Sequence, residues 1–287
     1  MIQEKIISDR PHVISGGSDT TDARNIRIFV PIDFSSSSFT ALEYALNLAK
    51  ICNGSIDLFH LTDISTLGES DNPVVINRML DRLEAKASVQ NESLREMIEE
   101  SGVRVASCES VVGNIEVLLH KKIEELSPDL IVMNKNRFAG QNAATLITKL
   151  ESPVLVIPDQ DTVKLPSNVV LSADLKPVRQ RTMDTLLKIV QHTSPDLTVL
   201  HIGNRDDRKV PRQWNIQSTE LRLVHVVYDH ENVENGIASY VKANDIDLLC
   251  LVHRQRSWWG RFFQPSVTQS LVGKIDVAIL IVRDQLK

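Results

Sequence analysis

An internal repeat is the feature that most constrains the fold of this chain. The stretch NIRIFVPIDFSSSSFTALEYALNLAKICNGSIDLFHLTD near the N-terminus returns as NVVLSADLKPVRQRTMDTLLKIVQHTSPDLTVLHIGN from Asn168. Asp33 aligns with Asp174 and His60 with His201, and both pairs are 141 residues apart without a gap. A repeat that extends over a whole strand–helix–strand unit predicts a tandem duplication.

Both copies of the repeat carry the same helical pattern, with apolar residues at positions i, i+3, i+4 and i+7 of one buried face. These residues are Leu42, Ala45, Leu46 and Ala49 in the first copy and Met183, Leu186, Leu187 and Val190 in the second. Strands and helices alternate through each copy with short connections, which predicts a parallel sheet covered by helices. The predicted fold class is α/β, with two tandem doubly wound, five-stranded parallel-sheet domains of the Rossmann-like type.

The repeat boundaries divide the chain into segments. We expect the polar residues 1–25 to form a mobile leader, 26–158 the first domain, 159–167 a linker and 168–284 the second domain. The alignment offset falls from 141 to 118 after the second strand, so the second repeat lacks the long helix expected over residues 75–100. The sheet face without that helix should be covered by the other repeat or by a second copy of the chain.

Composition and charge argue against several classes of protein. A formal net charge of -5 does not suit a nucleic-acid-binding surface, which is usually basic. No apolar run reaches the roughly 18 residues of a membrane-spanning helix, and the first residues lack the apolar core of a signal peptide. Cys52, Cys108 and Cys250 are far apart, which predicts reduced thiols in the cytoplasm. The histidines show no metal-ligand spacing, so no metal is expected.

The motifs of the repeat resemble those of the universal stress protein family. They are VPIDFS at the end of the first strand, the ALEYALNLA helix, a strand ending in FHL, and the closing SPVLVIP. The resemblance covers nearly everything from Ile26 to Arg283. It implies a five-stranded fold of the adenine nucleotide alpha hydrolase type, frequent tandem pairing and dimerisation. We therefore expect a homodimer or an intrachain pseudo-dimer, with protein partners that the sequence does not identify.

One subgroup of that family binds ATP through three glycines and a Ser or Thr after the fourth strand. Glycines let backbone N–H groups approach the phosphates, and the Ser or Thr opens a helix whose N-terminus faces the anion. The second repeat has Val252, Gln255, Pro265 and Ser266 at these positions, so only Ser266 is retained. Two side chains fill space that the backbone would need, and proline removes an N–H group.

The first repeat departs from the same motif. Asn134 and Arg137 stand at the first two glycine positions, and Gly140 and Gln141 are the best equivalents of the final pair. The degenerate loops predict lost or weakened ATP binding in both repeats and no resident cofactor.

The resemblance also implies that some residues of the family's nucleotide pocket are retained in this chain. Pro31 and Asp33 match the family's P-x-D at the end of the first strand, and Ile56 falls at the second-strand position that contacts the base. The full set of candidate pocket residues is Pro31, Asp33, Ile56, Gly140, Asp174 and Ser266. An alternative stays open for the two aspartates, because Asp also ties turns and caps helices without any ligand.

The segment Arg254–Phe263, RQRSWWGRFF, combines aromatic residues with arginines. Its rings could be buried on the other repeat or on a second copy of the chain. Stacking with single-stranded nucleic acid has suitable chemistry, but the acidic balance of the chain argues against it. A pocket for a small apolar or anionic molecule, or an anchor for a partner protein, is the remaining interpretation.

No catalytic motif is present, since the sequence has no G-x-S-x-G, no H-E-x-x-H and no recognisable Cys–His pair. The sequence therefore predicts a non-enzymatic stress-response protein that works as a binding or scaffold module. The alternative is a sensor of a small molecule or nucleotide, ATP or AMP, at Asp33 or Asp174. Enzymatic ATP hydrolysis would need a metal and phosphate cradle that the loops do not supply.

Overall fold

A computed structural model of the chain describes residues 5–7, 26–63, 72–135, 150–160, 163–172, 178–191, 193, 196–203, 222–254 and 265–284. The chain divides into two compact units. The first-repeat unit contains Asn25–Arg137 and Asp159–Val163, and the second-repeat unit contains Met1–Arg24, Phe138–Pro158 and Lys164–Lys287. Strand β1 (Lys5–Ile7) opens the chain and belongs to the second-repeat unit.

The first-repeat unit is a parallel sheet whose strands are connected by helices. Its elements are β2 (Arg27–Ile32), α1 (Ser36–Ile51), β3 (Ser55–Asp63), α2 (Pro73–Glu100), β4 (Arg104–Gly113), α3 (Ile115–Leu126) and β5 (Leu130–Asn134). The strands lie in the order β5-β2-β3-β4, so the chain starts in the interior of the sheet and winds outward in both directions. This order places a topological switch point beside the carboxyl end of β2.

The second-repeat unit repeats that four-strand plan and adds one strand at one side and two at the other. Its further elements are β6 (Val154–Ile157), β7 (Val169–Ser172), α4 (Gln180–Val190), β8 (Asp196–Ile202), β9 (Arg222–Tyr228), α5 (Val233–Ala243), β10 (Leu248–Arg254), α6 (Pro265–Lys274) and β11 (Ala278–Asp284). The order is β1-β9-β8-β7-β10-β11-β6. The five strands from β9 to β11 are parallel, whereas β1 pairs with β9 and β6 pairs with β11 in antiparallel fashion.

The α/β class with a mostly parallel sheet is confirmed. Two details were not expected from the repeat boundaries. Strand β6 closes the first repeat in sequence, yet it groups with the second-repeat unit through its pairing with β11. Residues Lys5–Ile7, inside the expected leader, form a strand on β9. The division of the chain at residues 25, 158 and 168 stays a prediction.

The predicted helical stripes are buried in both copies with one change. All four residues of the α4 stripe are buried, as are Leu42, Ala45 and Ala49 of α1. Leu46 is only half-buried, and Leu48 takes its place in the core at 1% exposure. Ala41, Ala45 and Leu48 lie along one side of the buried face of α1 and are all buried. The buried face is therefore broader than the four predicted residues.

Each repeat joins the start of its first strand to the start of its fourth by the same pair of hydrogen bonds. Arg27 N donates to Asp129 Oδ2 at 2.9 Å, and Asp129 N donates to Arg27 O at 3.0 Å. In the second repeat, Asn168 N donates to Asp247 Oδ2 at 2.9 Å, and Asp247 N donates to Asn168 O at 3.0 Å. The offsets of 141 and 118 residues therefore align side chains that make equivalent contacts.

A buried ion pair connects three strands of the first-repeat unit. The Asp57 side chain is fully buried, and it accepts hydrogen bonds from Arg27 Nε at 2.5 Å and Arg27 Nη2 at 2.9 Å. Ser107 Oγ donates to Asp57 Oδ1 at 2.5 Å. The hydrogen bond with Asp57 raises the pKa of Arg27. Since these residues lie on β2, β3 and β4, the pair fixes the relative positions of the strands.

Candidate functional site

The candidate site begins where β2 ends, at a tight turn that leads into α1. Asp33 is half-buried, and its Oδ1 accepts hydrogen bonds from Ser35 N at 3.0 Å and from Ser35 Oγ at 2.5 Å. Ser35 caps α1 by accepting from Ser38 N at 3.2 Å. Phe34, between them, has a left-handed backbone with φ of 61°. The turn-tying role of Asp33 is therefore present in the structure.

The other two candidate residues of this unit lie at different levels of the sheet. Pro31 is buried in β2 beside the turn. Ile56 is fully buried and pairs with Ile28, whereas His60 pairs with Ile32 at the end of β2. Four residues of strand correspond to about 13 Å. The structure therefore brings Pro31 and Asp33 together but does not bring Ile56 to the same end of the sheet.

His60 is the β3 side chain that lies next to the turn. It is 7% exposed, and its ring centroid is 4.5 Å from that of Phe34. Its Nδ1 lies 3.0 Å from Ser110 Oγ on β4, and its Nε2 lies 3.5 Å from Thr62 Oγ1. The sequence predicted a core or rim histidine and did not connect it with Asp33. The signal that could have connected the two residues is strand register, since His60 pairs with Ile32, the residue before Asp33.

A buried amide completes the cluster around His60. Asn91 on α2 is 7% exposed, and its Nδ2 donates to Ser110 Oγ at 2.6 Å. The Oδ1 of Asn91 is buried without a hydrogen-bond partner. Because Ser110 receives Asn91 on one side and faces His60 on the other, the cluster connects α2, β3 and β4. A serine held in this way serves packing better than nucleophilic attack, which needs an accessible hydroxyl.

The residue predicted at the first glycine position of the phosphate motif in the first repeat is a buried asparagine. Asn134 ends β5 and is 2% exposed. Its Nδ2 donates to Asp159 Oδ1 at 2.8 Å. The buried amide therefore ties the end of β5 to the Asp159 carboxylate, at a motif position where a glycine would place no side chain.

The second repeat shows the corresponding substitution. Val252 in β10 is 4% exposed and pairs with Val282 of β11. Pro265 is the first residue of α6, so this helix begins without one of its backbone donors, and Ser266 follows in its first turn. Gly140, Asp174 and residues 255–263 of the aromatic segment lie outside the described residues.

The amino end of α4, which corresponds to the start of α1, is closed by a distant carboxylate. Arg179, its N-cap residue, makes no side-chain capping hydrogen bond. Instead Asp284 Oδ1 accepts from Arg179 N at 3.4 Å and from Thr182 Oγ1 at 3.2 Å, and Arg179 Nε lies 4.0 Å away. A helix N-terminus attracts negative charge. At α4 the chain's own Asp284, only 8% exposed, supplies it.

The described residues offer little metal or thiol chemistry. Within them, no group of three or more His, Cys, Asp or Glu side chains could hold a metal ion. Burial raises the pKa of Cys52 to about 11 and also raises the pKa of Cys250, which is fully buried. Both thiols are therefore protonated near neutral pH and poorly nucleophilic. None of the described helices has the length and hydropathy needed to cross a membrane.

These features define a tandem Rossmann-like α/β protein with a candidate ligand site at the carboxyl end of β2. The sequence profile of the universal stress protein family matches residues 25–158 and 212–283. The chain belongs to the universal stress protein family. The first matched segment spans the first repeat, and the second spans the later part of the second repeat.

Solved structures agree on the fold. A universal stress protein from Archaeoglobus fulgidus superposes with a TM-score of 0.66 and 17% identity, covering 90% of this chain and 96% of its own. A protein from Pseudomonas aeruginosa, provisionally assigned to the same family, gives a TM-score of 0.61 and 11% identity, covering 91% and 94%. Identities this low show the fold alone. Among curated proteins, none matches this chain at a significant level.

Proposed function

We propose that this protein is a non-enzymatic stress-response binding or scaffold module in which ATP binding is lost or weakened. The observation that carries the proposal is the contact between Asn134 and Asp159, at the first position of the phosphate loop. Val252 gives the second repeat an equivalent obstruction, since its side chain is buried where a glycine would be needed. In this proposal the Asn134 and Val252 side chains stand at motif positions where the ATP-binding subgroup has glycine, which supports weakened phosphate binding in both repeats.

Charge strengthens the obstruction in the first repeat. A triphosphate brings several negative charges, and Asp159 presents another from an exposed position. Two like charges about 4 Å apart repel by roughly 1–4 kcal/mol at the effective dielectric of water or a protein surface. Each 1.4 kcal/mol weakens binding about tenfold. In this proposal Asp159 weakens the binding of a phosphate placed beside it, and its exposure to solvent reduces the size of the effect.

In this proposal the protein acts in the cytoplasm, without a resident cofactor, and contacts partner proteins through its surfaces. The Arg254–Phe263 segment is a candidate contact because clustered tryptophan and arginine side chains are the usual anchors of protein interfaces.

A sensor function is the alternative, and one observation favours it. The half-buried Asp33 lies at the switch point of the sheet, with the rings of Phe34 and His60 beside it. A carboxylate next to aromatic rings can bind a ribose or another small polar molecule without a phosphate cradle. Such a ligand would bind with its base or sugar at Asp33, and its phosphates would contribute little.

The experiment is a calorimetric titration of nucleotide-free protein with Mg-ATP, AMP and adenosine. Mass spectrometry of the denatured protein first identifies any molecule that copurifies with it. We expect no ATP binding below about 1 mM and a measurable gain in the Asn134→Gly/Asp159→Asn double variant. Glu99→Gln is the matched control, because it removes one exposed negative charge on α2, away from the loop.

Two results would contradict the scaffold proposal. Copurified ATP, or a micromolar ATP affinity that disappears in Asp33→Ala, would show that the substituted loops still hold phosphate. Equal affinities for ATP, AMP and adenosine, all abolished in Asp33→Ala, would establish the sensor instead. A folded Asp33→Ala protein, checked by circular dichroism, is required for either conclusion.

A further inference from the structure

The cluster of His60, Ser110 and Asn91 contains a buried oxygen that receives no hydrogen bond. Asn91 Nδ2 donates to Ser110 Oγ at 2.6 Å. The Oδ1 of the same amide is buried, and none of the described residues donates to it. A buried acceptor without a donor is unfavourable, and few are found in folded proteins. The cluster would therefore gain from a rearrangement that brings a donor to Asn91 Oδ1.

Ser110 has one hydroxyl hydrogen and lies between two side chains that can each accept it. Because Asn91 Nδ2 donates to Ser110 Oγ, the hydroxyl hydrogen is left for His60 Nδ1, which lies 3.0 Å away. A ring that accepts at Nδ1 is neutral and carries its hydrogen on Nε2. The orientation of the Asn91 amide in the structure thus corresponds to a neutral His60.

A proton on His60 reverses the direction of these hydrogen bonds. Both ring nitrogens of a protonated histidine are donors, so Nδ1 would donate to Ser110 Oγ. The Ser110 hydroxyl would then donate to Asn91 once the amide has turned by half a rotation, which brings Oδ1 to the place of Nδ2. The 2.6 Å separation also suits this bond, since O–H···O hydrogen bonds are about 2.5–3.0 Å long. The buried oxygen thereby acquires its donor.

We propose that His60, Ser110 and Asn91 form a proton-responsive relay, in which protonation of His60 turns the Asn91 amide. Histidine is the side chain whose charge ordinarily changes between about pH 5 and 8. The relay connects three elements, because His60 lies on β3, Ser110 on β4 and Asn91 on α2. His60 also packs against the ring of Phe34. A change in the charge of His60 therefore reaches both α2 and the turn that carries Asp33, whether or not either repeat binds a nucleotide.

The charged groups around the relay influence the pH at which it responds. Titratable or charged side chains lie on the turn after β2, on α2, on β4 and on α3: Asp33, Glu92, Arg95, Cys108, Glu109 and Lys122. Negative groups favour a charged His60 ring, and positive groups oppose it. Helix α1 has no acidic residue in its first turn. These charges are present whichever way the Asn91 amide points, so changes at Asn91 and Ser110 test the relay separately from them.

The test is a pH titration of the full chain by NMR that follows the two ring nitrogens of His60 and the side-chain amide of Asn91. The signals are assigned by their absence from the His60→Gln and Asn91→Leu variants. We expect the Nε2–H form in the neutral ring, and a shift of the Asn91 amide signals with the same pH midpoint as the ring. Asn91→Leu removes the last acceptor of the relay, so the proton affinity of His60 should fall by about tenfold.

A second variant and a control accompany this titration. Ser110→Ala interrupts the relay at its centre and should also lower the proton affinity of His60, so it replaces Asn91→Leu if that variant unfolds. Ser93→Ala is the matched control, because Ser93 is exposed on α2 and makes no contact in the relay. Its His60 midpoint should equal that of the unmodified chain. Circular dichroism checks that each variant is folded.

Any one of four results would overturn the proposal. The first is a His60 ring that stays neutral at every pH at which the chain is folded. The second is protonation of His60 without a simultaneous shift of the Asn91 amide signals. The third is a neutral ring in the Nδ1–H form, which would mean that the Asn91 oxygen faces Ser110 before any proton is bound. The fourth is an unchanged midpoint in both Asn91→Leu and Ser110→Ala.

Discussion

Removing the two members of the buried ion pair should have unequal effects on stability. Asp57 is fully buried, whereas the side chain of Arg27 is 38% exposed. Arg27→Met leaves a buried carboxylate with the Ser107 hydroxyl and without its cation. Asp57→Asn leaves a guanidinium that can turn toward water, and the new amide still offers an oxygen to Ser107. The larger cost should therefore come from loss of the more exposed residue.

The magnitudes follow from the desolvation of each group. Leaving a buried charge without its partner costs about 3–5 kcal/mol, so Arg27→Met should lose this much. Exchanging a charged hydrogen bond for a neutral one costs about 1–2 kcal/mol, which is the loss expected for Asp57→Asn. The double variant Arg27→Met/Asp57→Asn should be more stable than Arg27→Met alone, because the unpaired charge has been removed.

Hydrogen exchange followed by mass spectrometry is the suitable assay, since it reports on peptides of β2, β3 and β4 separately from the second-repeat unit. A loss of about 3 kcal/mol accelerates exchange of the most protected amides by about two orders of magnitude. Equal losses for the two single variants, or a larger loss for Asp57→Asn, would refute the assignment of the cost to the buried carboxylate. A double variant that is no more stable than Arg27→Met would refute this assignment as well.

Further outcomes can be checked by urea and pH titrations. Ser35→Ala removes the cap of α1 and should cost about 1 kcal/mol, whereas Ser36→Ala, one residue further and exposed, should be nearly neutral. Asp247→Ala removes an acceptor of three hydrogen bonds and should cost about 1–3 kcal/mol. Burial raises the pKa of Cys52 from 9.0 to about 11, so its stabilising contribution is present below pH 9 and is lost as pH rises toward 11. As the pH rises from 9 toward 11, the free energy of unfolding of the Cys52→Ala variant should therefore fall less than that of the unmodified chain.

The sequence predicted those parts of the fold that are set by local pattern. Asn114 and Asn232 are 118 residues apart, the second offset of the repeat, and both cap their helices by accepting from a backbone N–H three residues later. Strand β5 is buried at every position, as an unbroken apolar run in a parallel sheet favours. Periodicity and capping depend on neighbours in sequence, so a single sequence contains the information.

Contacts between segments that are far apart in the chain could not be predicted from the sequence. Asp284 caps α4 from about a hundred residues away, and no local motif marks a carboxylate for that role. The pairing of β1 with β9 depends on an edge that only the folded sheet creates. Ile56 was assigned by its second-strand position in the resemblance, and the strand register pairs it with Ile28, four residues before the level of His60.

The antiparallel pairing of β6 with β11 has a consequence for synthesis on the ribosome. Val154 pairs with Ile281, so β11 follows β6 by roughly 130 residues, which takes about 6–26 s at 5–20 residues per second. During that interval the polypeptide presents the β11-facing edge of a strand made of Val, Leu, Val and Ile. An apolar edge left open invites pairing with another nascent chain. Chaperone demand should therefore peak late in translation, and slowing the ribosome within the second repeat should increase aggregation.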